Sequence, residues 1–361
     1  MTRVLRIFLA AVAALVGLVL LLAAVSPVDS EAWTPPAAPA LAGPWAPNER
    51  LQAATLLAVG KVEGPEDVDA DAEGRVYAGL ADGRIVRVLA DGTVETFADT
   101  GGRPLGLAFT AGGRLIVADA RKGLLSVSPG GAITVLATEA NGVPFGFTDD
   151  VDVAADGTIY FTDASSRWHS PDYELDLLET RPHGRLLAYS PERGDVRVLL
   201  DGLYFANGVA VSPAGDYLLV NETWRYRVLR YWLLGPRAGQ SEVFMDNLPG
   251  FPDGISSNGR GVYWIALPSP RKADLDFLHR FPLLKQAVAT LPQALRPKAV
   301  RYGFVVGIDE NANVVANLHD TTGNHLREIT SVQQVGDDLY FGSLSNDRIG
   351  RMSATQALAP R

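Results

Sequence analysis

Residues 205–220 read FANGVAVSPAGDYLLV, and this stretch predicts the fold. An Asn-Gly pair opens a short alternating apolar run, a Ser-Pro-Ala-Gly turn follows, and a second apolar run returns, which is typical of two antiparallel strands joined by a tight turn. The pattern recurs along the chain, each time with a glycine eight residues after its first residue. The clearest copies start at Glu66 (EDVDADAEGRVYAGL), Leu105 (LGLAFTAGGRLIVAD), Asp149 (DDVDVAADGTIYFTD), Asn207 (NGVAVSPAGDYLLVN) and Asp253 (DGISSNGRGVYWIAL).

A weaker copy, ITSVQQVGDDLYFGS, starts at Ile329 and carries Asp337 in place of the glycine. Repeats of this size, each a strand pair ahead of further strands, are typical of a β-propeller. We therefore predict an all-β fold, a six-bladed β-propeller. Residues 53–62 (AATLLAVGKV) are predicted to form an outer strand that joins the last blade and closes the ring, which removes an exposed sheet edge.

The N-terminal residues 1–25 are predicted to form a signal anchor, that is, an uncleaved transmembrane helix. Arg3 and Arg6 precede a run without charges, residues 7–25, which as a helix spans about 28 Å, close to the hydrocarbon thickness of a bilayer. A cleaved signal peptide and a buried core helix are the alternatives. The two arginines place the N-terminus in the cytoplasm and the rest of the chain outside, in the periplasm if the source is bacterial.

Three further segments follow from composition and spacing. Residues 26–50 are rich in proline and are interpreted as a linker, a semi-extended stalk between the membrane and the propeller, which occupies residues 51–361. Two insertions interrupt the repeats, at 167–183 and 269–300. The second, in blade five, has near-helical apolar spacing interrupted by Pro282. We interpret both as a lid over one face; a packed surface excursion and a membrane-touching segment are the alternatives.

Composition excludes several classes of function. The chain has a net charge of -9 and no cluster of Lys and Arg, so a nucleic acid is not an expected partner. It has no cysteine, which excludes disulfides and thiolate metal sites. No G-x-S-x-G stretch and no glycine-rich phosphate loop occur, so neither a serine hydrolase nor nucleotide chemistry is indicated.

The first residues of the repeats are the candidate site. The first strand of every blade lines the central channel of a propeller, so equal spacing puts these residues at one height: Glu66, Leu105, Asp149, Asn207, Asp253 and Ile329. Like charges close together must share protons or bind a cation. Oxygen ligands alone select a hard divalent metal, and Ca²⁺ fits best. The alternative is that Asp and Asn are turn residues.

Two groups of polar residues accompany these first residues. In a regular strand Asp67 and Asp150 point away from the channel, where they bind a second metal or cap turns. Fourteen residues after their repeat starts, Asp119, Asp163 and Asn221 lie beside the same face. Structural hydrogen bonding is the favoured interpretation of these three, and substrate contacts are the alternative.

The chain resembles the strictosidine synthase-like family, including adipocyte plasma membrane-associated protein, and more distantly the paraoxonases and the gluconolactonase/senescence marker protein group. The motifs that carry the resemblance include GPED (64–67), FTDDVDVAADGTIYFTDAS (147–165), FANGVAVSP (205–213), FPDGIS (251–256) and YGFVVGIDENANVVANLHDTTGNHLREITSV (302–332). By this resemblance the ligands of a catalytic metal, usually calcium, are Glu66, Asp149, Asn207 and Asp253. It also makes Asp253 a candidate base and His325 a candidate catalytic residue.

Two departures limit what the resemblance implies. Leu105 stands where the paraoxonases have a catalytic histidine. His325 is followed by Leu326 and Arg327, whereas strictosidine synthase has a catalytic glutamate two residues after that histidine. We therefore expect a calcium-dependent hydrolase of esters or lactones that lacks the synthase chemistry. The alternative is a non-enzymatic, metal-containing propeller that binds a small molecule or a protein.

Overall fold

The computed structural model describes residues 2–359 of the chain. Met1 and residues 360–361, at the outer ends of the predicted segments 1–25 and 51–361, lie outside the described residues. Helix α1 (Arg3–Ala24) is the one helix among residues 2–359 that is long and apolar enough to cross a membrane. A buried core helix is the wrong interpretation, because no residue of α1 is buried.

Six four-stranded antiparallel sheets confirm the six-bladed β-propeller. Strand β1 (Thr55–Leu57) precedes the first blade. Blade one comprises β2 (Val68–Ala70), β3 (Val76–Gly79), β4 (Arg84–Val88) and β5 (Val94–Asp99). Blade two comprises β6 (Pro104–Phe109), β7 (Leu115–Asp119), β8 (Gly123–Val127) and β9 (Ile133–Ala137), followed by a hairpin of β10 (Glu139–Ala140) and β11 (Val143–Pro144). Blade three comprises β12 (Thr148–Val153), β13 (Ile159–Asp163), β14 (Gly184–Ser190) and β15 (Asp195–Leu203), with α2 (Tyr173–Glu179) between β13 and β14.

The second half of the chain continues the same arrangement. Blade four comprises β16 (Ala206–Val211), β17 (Tyr217–Glu222), β18 (Arg227–Trp232) and β19 (Ser241–Met245). Blade five comprises β20 (Ile255–Ser257), β21 (Val262–Ala266), β22 (Gly303–Asp309) and β23 (Val314–Asp320), with α3 (Ala273–Leu278) and α4 (Pro282–Ala289) between β21 and β22. Blade six contains β24 (Ile329–Val335), β25 (Asp338–Ser343) and β26 (Ile349–Ser353), and α5 (Ala354–Leu358) follows.

Strand β1 closes the ring as predicted. It pairs antiparallel with β26, the outermost strand that the C-terminal part of the chain contributes to blade six. The N-terminal strand therefore completes the last blade, and the first and last parts of the propeller are joined by backbone hydrogen bonds. With β1 included, blade six has four strands, as each of the other five blades does.

The innermost strands are bulged, and this decides which side chains reach the channel. Between Thr148 and Val151 of β12 the pairing with β13 shifts register, and the same shift occurs in β6, β16 and β24. A bulge inserts an extra residue and re-aims its side chain. The expectation that Asp150 points away from the channel is therefore wrong, and so is that for Asp67, which lies just before β2, a strand whose pairing shows no register shift. Both line a second cavity of about 60 Å³, deeper along the channel.

The proline-rich segment 26–48 packs on the insertions and does not form the expected free stalk. The backbone N–H groups of Glu31 and Trp33 donate to the carbonyls of Glu179 and His279, in the first and second insertion respectively. Val28 is buried beside α2 and the end of α4. The segment thus holds both insertions against one another.

The second insertion forms two short helices where one interrupted helix is expected. Pro282 is the first residue of α4, where its missing N–H leaves no bond unmade, and α3 ends at Leu278. Both insertions lie over the channel end that carries the first residues of the repeats, because residues of both line the cavity described next.

Candidate functional site

The four predicted metal ligands line one cavity of about 150 Å³ at the end of the channel. Glu66 and Asp253 come just before β2 and β20, and Asp149 and Asn207 lie in the bulges of β12 and β16. Glu66, Asp149 and Asn207 are buried. The structure therefore brings together four oxygen-bearing side chains from four blades, as the repeat spacing predicts.

Close packing between neighbouring innermost strands fixes these positions. At Gly208, next to Asn207, a Cβ atom would lie 2.4 Å from the carbonyl oxygen of Asp253, so only glycine fits. The side chain of Asn221 donates to that same carbonyl (Nδ2 to O, 2.5 Å). The backbone that carries Asp253 is thus held from two sides.

The aspartates at the ends of the second strands serve the backbone too. Asp163 accepts hydrogen bonds from the N–H groups of Gly146 and Phe147 and pairs with Arg185 (2.6 Å). Asp119 accepts from the N–H of Arg103 (2.9 Å). These contacts agree with the structural interpretation of Asp119, Asp163 and Asn221, since they shape the loops that lead into the first strands.

The three carboxyl groups of the cavity are strongly perturbed. Burial is the largest cause in each case: it raises the pKa of Glu66 and of Asp149 well above the usual range, and that of Asp253 to about 7. Repulsion from Asp253 adds to the rise for both Glu66 and Asp149. The buried guanidinium of Arg103 counteracts it in part. Without a cation, the protein keeps mutually repelling carboxylates in a poorly solvated place.

One atom of this group has no hydrogen-bond partner at all. The Oδ2 atom of Asp149 is buried and unpaired. Leaving a buried charged oxygen without a donor costs the full desolvation of that atom, unless something electropositive approaches it. A hard cation is the type of group that these oxygens fit. Among residues 2–359, however, no three His, Cys, Asp or Glu side chains stand close enough to form a ready-made metal site.

The rest of the cavity is largely an apolar wall. Phe205 lies between Trp224 (ring centroids 4.6 Å apart) and Phe147 (5.4 Å), and Phe251 packs edge-on against Trp224. The indole N–H of Trp224 donates to Asp176 of α2 (2.9 Å). Phe205 and Trp224 both line the cavity.

Other lining residues escaped sequence analysis. Both insertions contribute side chains to the cavity: Tyr173, Glu174 and Leu177 from the first, and Lys272, Leu275 and Lys298 from the second. The apolar periodicity of 269–300 indicates helices but not which face meets the channel. Phe147 and Phe251 carry a signal that could have found them, since each stands two residues before a repeat start.

The structure does not bring His325 to the cavity. Its Nε2 atom lies 2.7 Å from the carbonyl oxygen of Ala54, just before β1, and its backbone N–H donates to Asp320. These contacts tie the ring closure together. The contacts of His325 therefore give its catalytic role no support, and they explain why a histidine stands there.

Comparison with known proteins settles the family. The strictosidine synthase family matches residues 149–236, and its strictosidine synthase-like N-terminal family matches residues 43–88. Protein STRICTOSIDINE SYNTHASE-LIKE 4 of Arabidopsis thaliana is 39% identical over 335 residues, which cover 90% of this chain and 88% of the relative. The chain belongs to the strictosidine synthase-like family. Human adipocyte plasma membrane-associated protein, another relative, is 36% identical over 352 residues, which cover 91% of this chain and 84% of the human protein.

Solved structures similar to this strictosidine synthase-like protein share its fold. A gluconolactonase from Xanthomonas campestris superposes with a TM-score of 0.62 at 18% identity and covers 91% of this chain and 99% of its own. Regucalcin from Agrobacterium tumefaciens, a calcium-binding protein, superposes with a TM-score of 0.59 at 17% identity. The match covers 82% of this chain and 92% of the regucalcin chain. At such identities the likeness shows the propeller fold alone.

Proposed function

We propose that this protein is a metal-dependent hydrolase of apolar esters or lactones, with calcium as the metal. The observation that carries the proposal is the unpaired, buried Oδ2 of Asp149 among three repelling carboxyl groups, at the base of an apolar cavity. The solved propellers of a gluconolactonase and of a calcium-binding regucalcin are consistent with it.

The proposal gives a role to each side chain of the site. Glu66, Asp149, Asn207 and Asp253 would hold the cation, which when bound polarises a carbonyl group and stabilises negative charge on its oxygen. Asp253 is the candidate acceptor for a proton of the attacking water. We assign no role in the reaction to His325, because its ring is bound to the backbone next to β1.

The walls of the cavity define the class of substrate. Five aromatic side chains and the aliphatic side chains of Leu105, Leu177 and Leu275 surround the space above the carboxylates. Such a surface binds an aryl or alkyl group by burial of apolar area and offers few partners to a sugar hydroxyl. Both insertions contribute side chains to the walls of the cavity. We therefore expect aryl esters and alkyl lactones to be better substrates than sugar lactones.

We also propose that α1 anchors the protein in a membrane with the propeller on the extracytoplasmic side. The length and composition of α1 support the anchor, and the positions of Arg3 and Arg6 support the orientation. A relative whose name places it at the plasma membrane is consistent with this. Protection of the propeller from protease added to the cytoplasmic side of membrane vesicles would test the orientation, and digestion from that side would contradict it.

Turnover by the full-length protein tests the hydrolase proposal. The detergent-purified chain is assayed on a panel of aryl esters and lactones, with a chelator and with calcium restored. We expect calcium-dependent hydrolysis that Asp253→Asn abolishes and that Asp152→Asn, a change at another innermost-strand aspartate, retains. Calcium binding without turnover of any substrate would instead indicate the non-enzymatic binding propeller.

A further inference from the structure

The second insertion presents large apolar side chains to the outside. Within residues 277–295, four of them are more than a third exposed: Phe277 (56%), Phe281 (40%), Leu283 (50%) and Leu295 (67%). The rings of Phe277 and Phe281 touch, with centroids 4.9 Å apart. Single exposed apolar residues are ordinary, but a group of this kind on one surface element marks a contact with another molecule or with a membrane.

This surface is continuous with α1. Helix α4 contacts α1, and the residues of α1 that are half-buried, Val19, Leu22 and Ala23, lie at its C-terminal end. Val28, a few residues further on, is buried against the end of α4. The insertion therefore sits where the proposed membrane anchor leaves the bilayer.

The charge of the insertion favours an anionic surface. Residues 269–300 contain six Lys or Arg residues and two Asp residues, a net charge of +4 in a chain whose net charge is -9. Lys285 is buried and Arg271 is paired with Asp276, but Arg280 and Lys298 are exposed. Apolar side chains beside exposed cations are the combination that binds the headgroup layer of membranes with anionic lipids.

We propose that the exposed face of residues 277–295 lies in the headgroup layer of the same bilayer that α1 crosses, with anionic lipid as its partner. The same insertion lines the candidate cavity through Lys272, Leu275 and Lys298. The entrance of the cavity therefore lies at the lipid–water boundary, where membrane-dissolved apolar substrates are concentrated. The membrane contact rests on the proposed anchor but not on the proposed hydrolysis.

Depth-dependent fluorescence quenching tests the contact on the full-length chain. Because the sequence contains no cysteine, a single introduced cysteine can be labelled with an environment-sensitive nitrobenzoxadiazole dye. Three variants are compared in proteoliposomes of phosphatidylcholine and phosphatidylglycerol with nitroxide-labelled lipid: Phe281→Cys on the insertion, Leu15→Cys in α1 and Ala155→Cys. Ala155 is exposed in the turn after β12, at the far end of the channel.

We expect lipid nitroxides to quench the dye at positions 281 and 15 but not at 155, and the emission at 281 to shift to the blue. Quenching at 15 without quenching at 281 would overturn the membrane contact and leave the anchor intact. A blue shift at 281 without quenching would overturn it in favour of a protein partner. Absence of quenching at 15 would overturn the anchor and the contact together, and turnover in detergent would still report separately on the hydrolase.

Discussion

Two layers of carboxylates line the channel and differ in how their oxygens are satisfied. In the layer at the cavity, Asp149 keeps a buried oxygen without a partner. In the deeper layer, Asp150 binds its own strand through Val151 N–H (2.8 Å) and the next blade through Val209 N–H (2.8 Å). Two aspartates adjacent in sequence thus have opposite environments, because the bulge in β12 sends both toward the channel at different depths.

The deeper layer repeats this arrangement, and its aspartates act as bridges between blades. Asp67 and Asp69 accept from the N–H groups of Leu107 and Phe109 in blade two, and Asp152 accepts from that of Val211 in blade four (2.8 Å). Buried polar groups that are fully paired stabilise a structure, whereas unpaired ones persist where function requires them. The comparison therefore distinguishes the deeper aspartates, which bridge blades, from Asp149 at the cavity, which has an unpaired oxygen.

The largest expected difference between the two layers is the effect of calcium on thermal stability. A ligand that binds only the folded protein stabilises it by about 2.7 kcal/mol at a concentration one hundred times its Kd. We expect calcium to raise the Tm of the wild-type protein and of Asp152→Asn, and Asp149→Asn to lose most of that rise. Differential scanning fluorimetry with and without calcium measures it. An equal rise in the Tm of both variants would show that Asp149 is not a ligand of the metal.

Truncation in the deeper layer should reduce stability without touching metal binding. Asp152→Ala leaves the N–H groups of Val153 and Val211 without their acceptor, and each unpaired buried donor costs about 1–3 kcal/mol. Because burial raises the pKa of Asp152 to about 6, removing this carboxylate also relieves a cost at neutral pH, which offsets part of the lost hydrogen bonding. We expect a net loss of about 2 kcal/mol in the free energy of unfolding, measured in urea at neutral pH with chelator present. An unchanged midpoint would show that water replaces the bridge between blades three and four.

Neutralising one carboxylate of the cavity should increase the stability of the metal-free protein, whereas truncation in the deeper layer should decrease it. Burial and repulsion raise the pKa of Glu66, so its charged form destabilises the metal-free protein at a pH above the usual range of a glutamate. Glu66→Gln keeps the shape and removes the charge, and one pKa unit corresponds to about 1.4 kcal/mol. We expect Glu66→Gln to be more stable than wild type in chelator and less stable than wild type in calcium. A loss of stability in both conditions would contradict the repulsion between these groups.

The repeat spacing was sufficient to predict the blades, the closing strand and the height of Glu66, Asp149, Asn207 and Asp253. The shared glycines have positive φ in the turns after the first strands, Gly157 at 86° for example, so a local backbone requirement made the repeat visible in the sequence. Asp150 was misplaced because a bulge depends on pairing with the neighbouring strand, which spacing does not report, and Asp67 because the regular part of its strand begins only at Val68. Segment 26–48 was misjudged for a similar reason, since its partners lie in insertions far along the chain.

The buried side chain of Lys285, under the two insertions, shows how a buried positive group is paired. Lys285 is fully buried and donates to the carbonyl of Glu31 and to the hydroxyl of Thr180 (2.7 Å), which joins the N-terminal segment and both insertions. The pKa of Lys285 is lowered to about 7, chiefly by burial and in part by the guanidinium of Arg225, against the attraction of Glu31. Burial therefore disfavours the charged form of this lysine, as it disfavours the charged forms of Asp150 and Asp152 in the deeper layer, whose pKa values it raises.

The sign of the pH dependence follows from that lowered pKa. Between pH 7 and about 10.5 the unfolded state holds a proton on Lys285 that the folded state has released, so stability should rise with pH, by at most about 1.4 kcal/mol per pH unit. Lys285→Met has nothing to titrate there and should lose this rise, while Lys61→Met, at an exposed surface lysine, should keep it. Urea unfolding of the three proteins at pH 7 and pH 9 measures the difference. Identical slopes would mean that Lys285 stays protonated in the folded protein and that its two acceptors compensate for its burial.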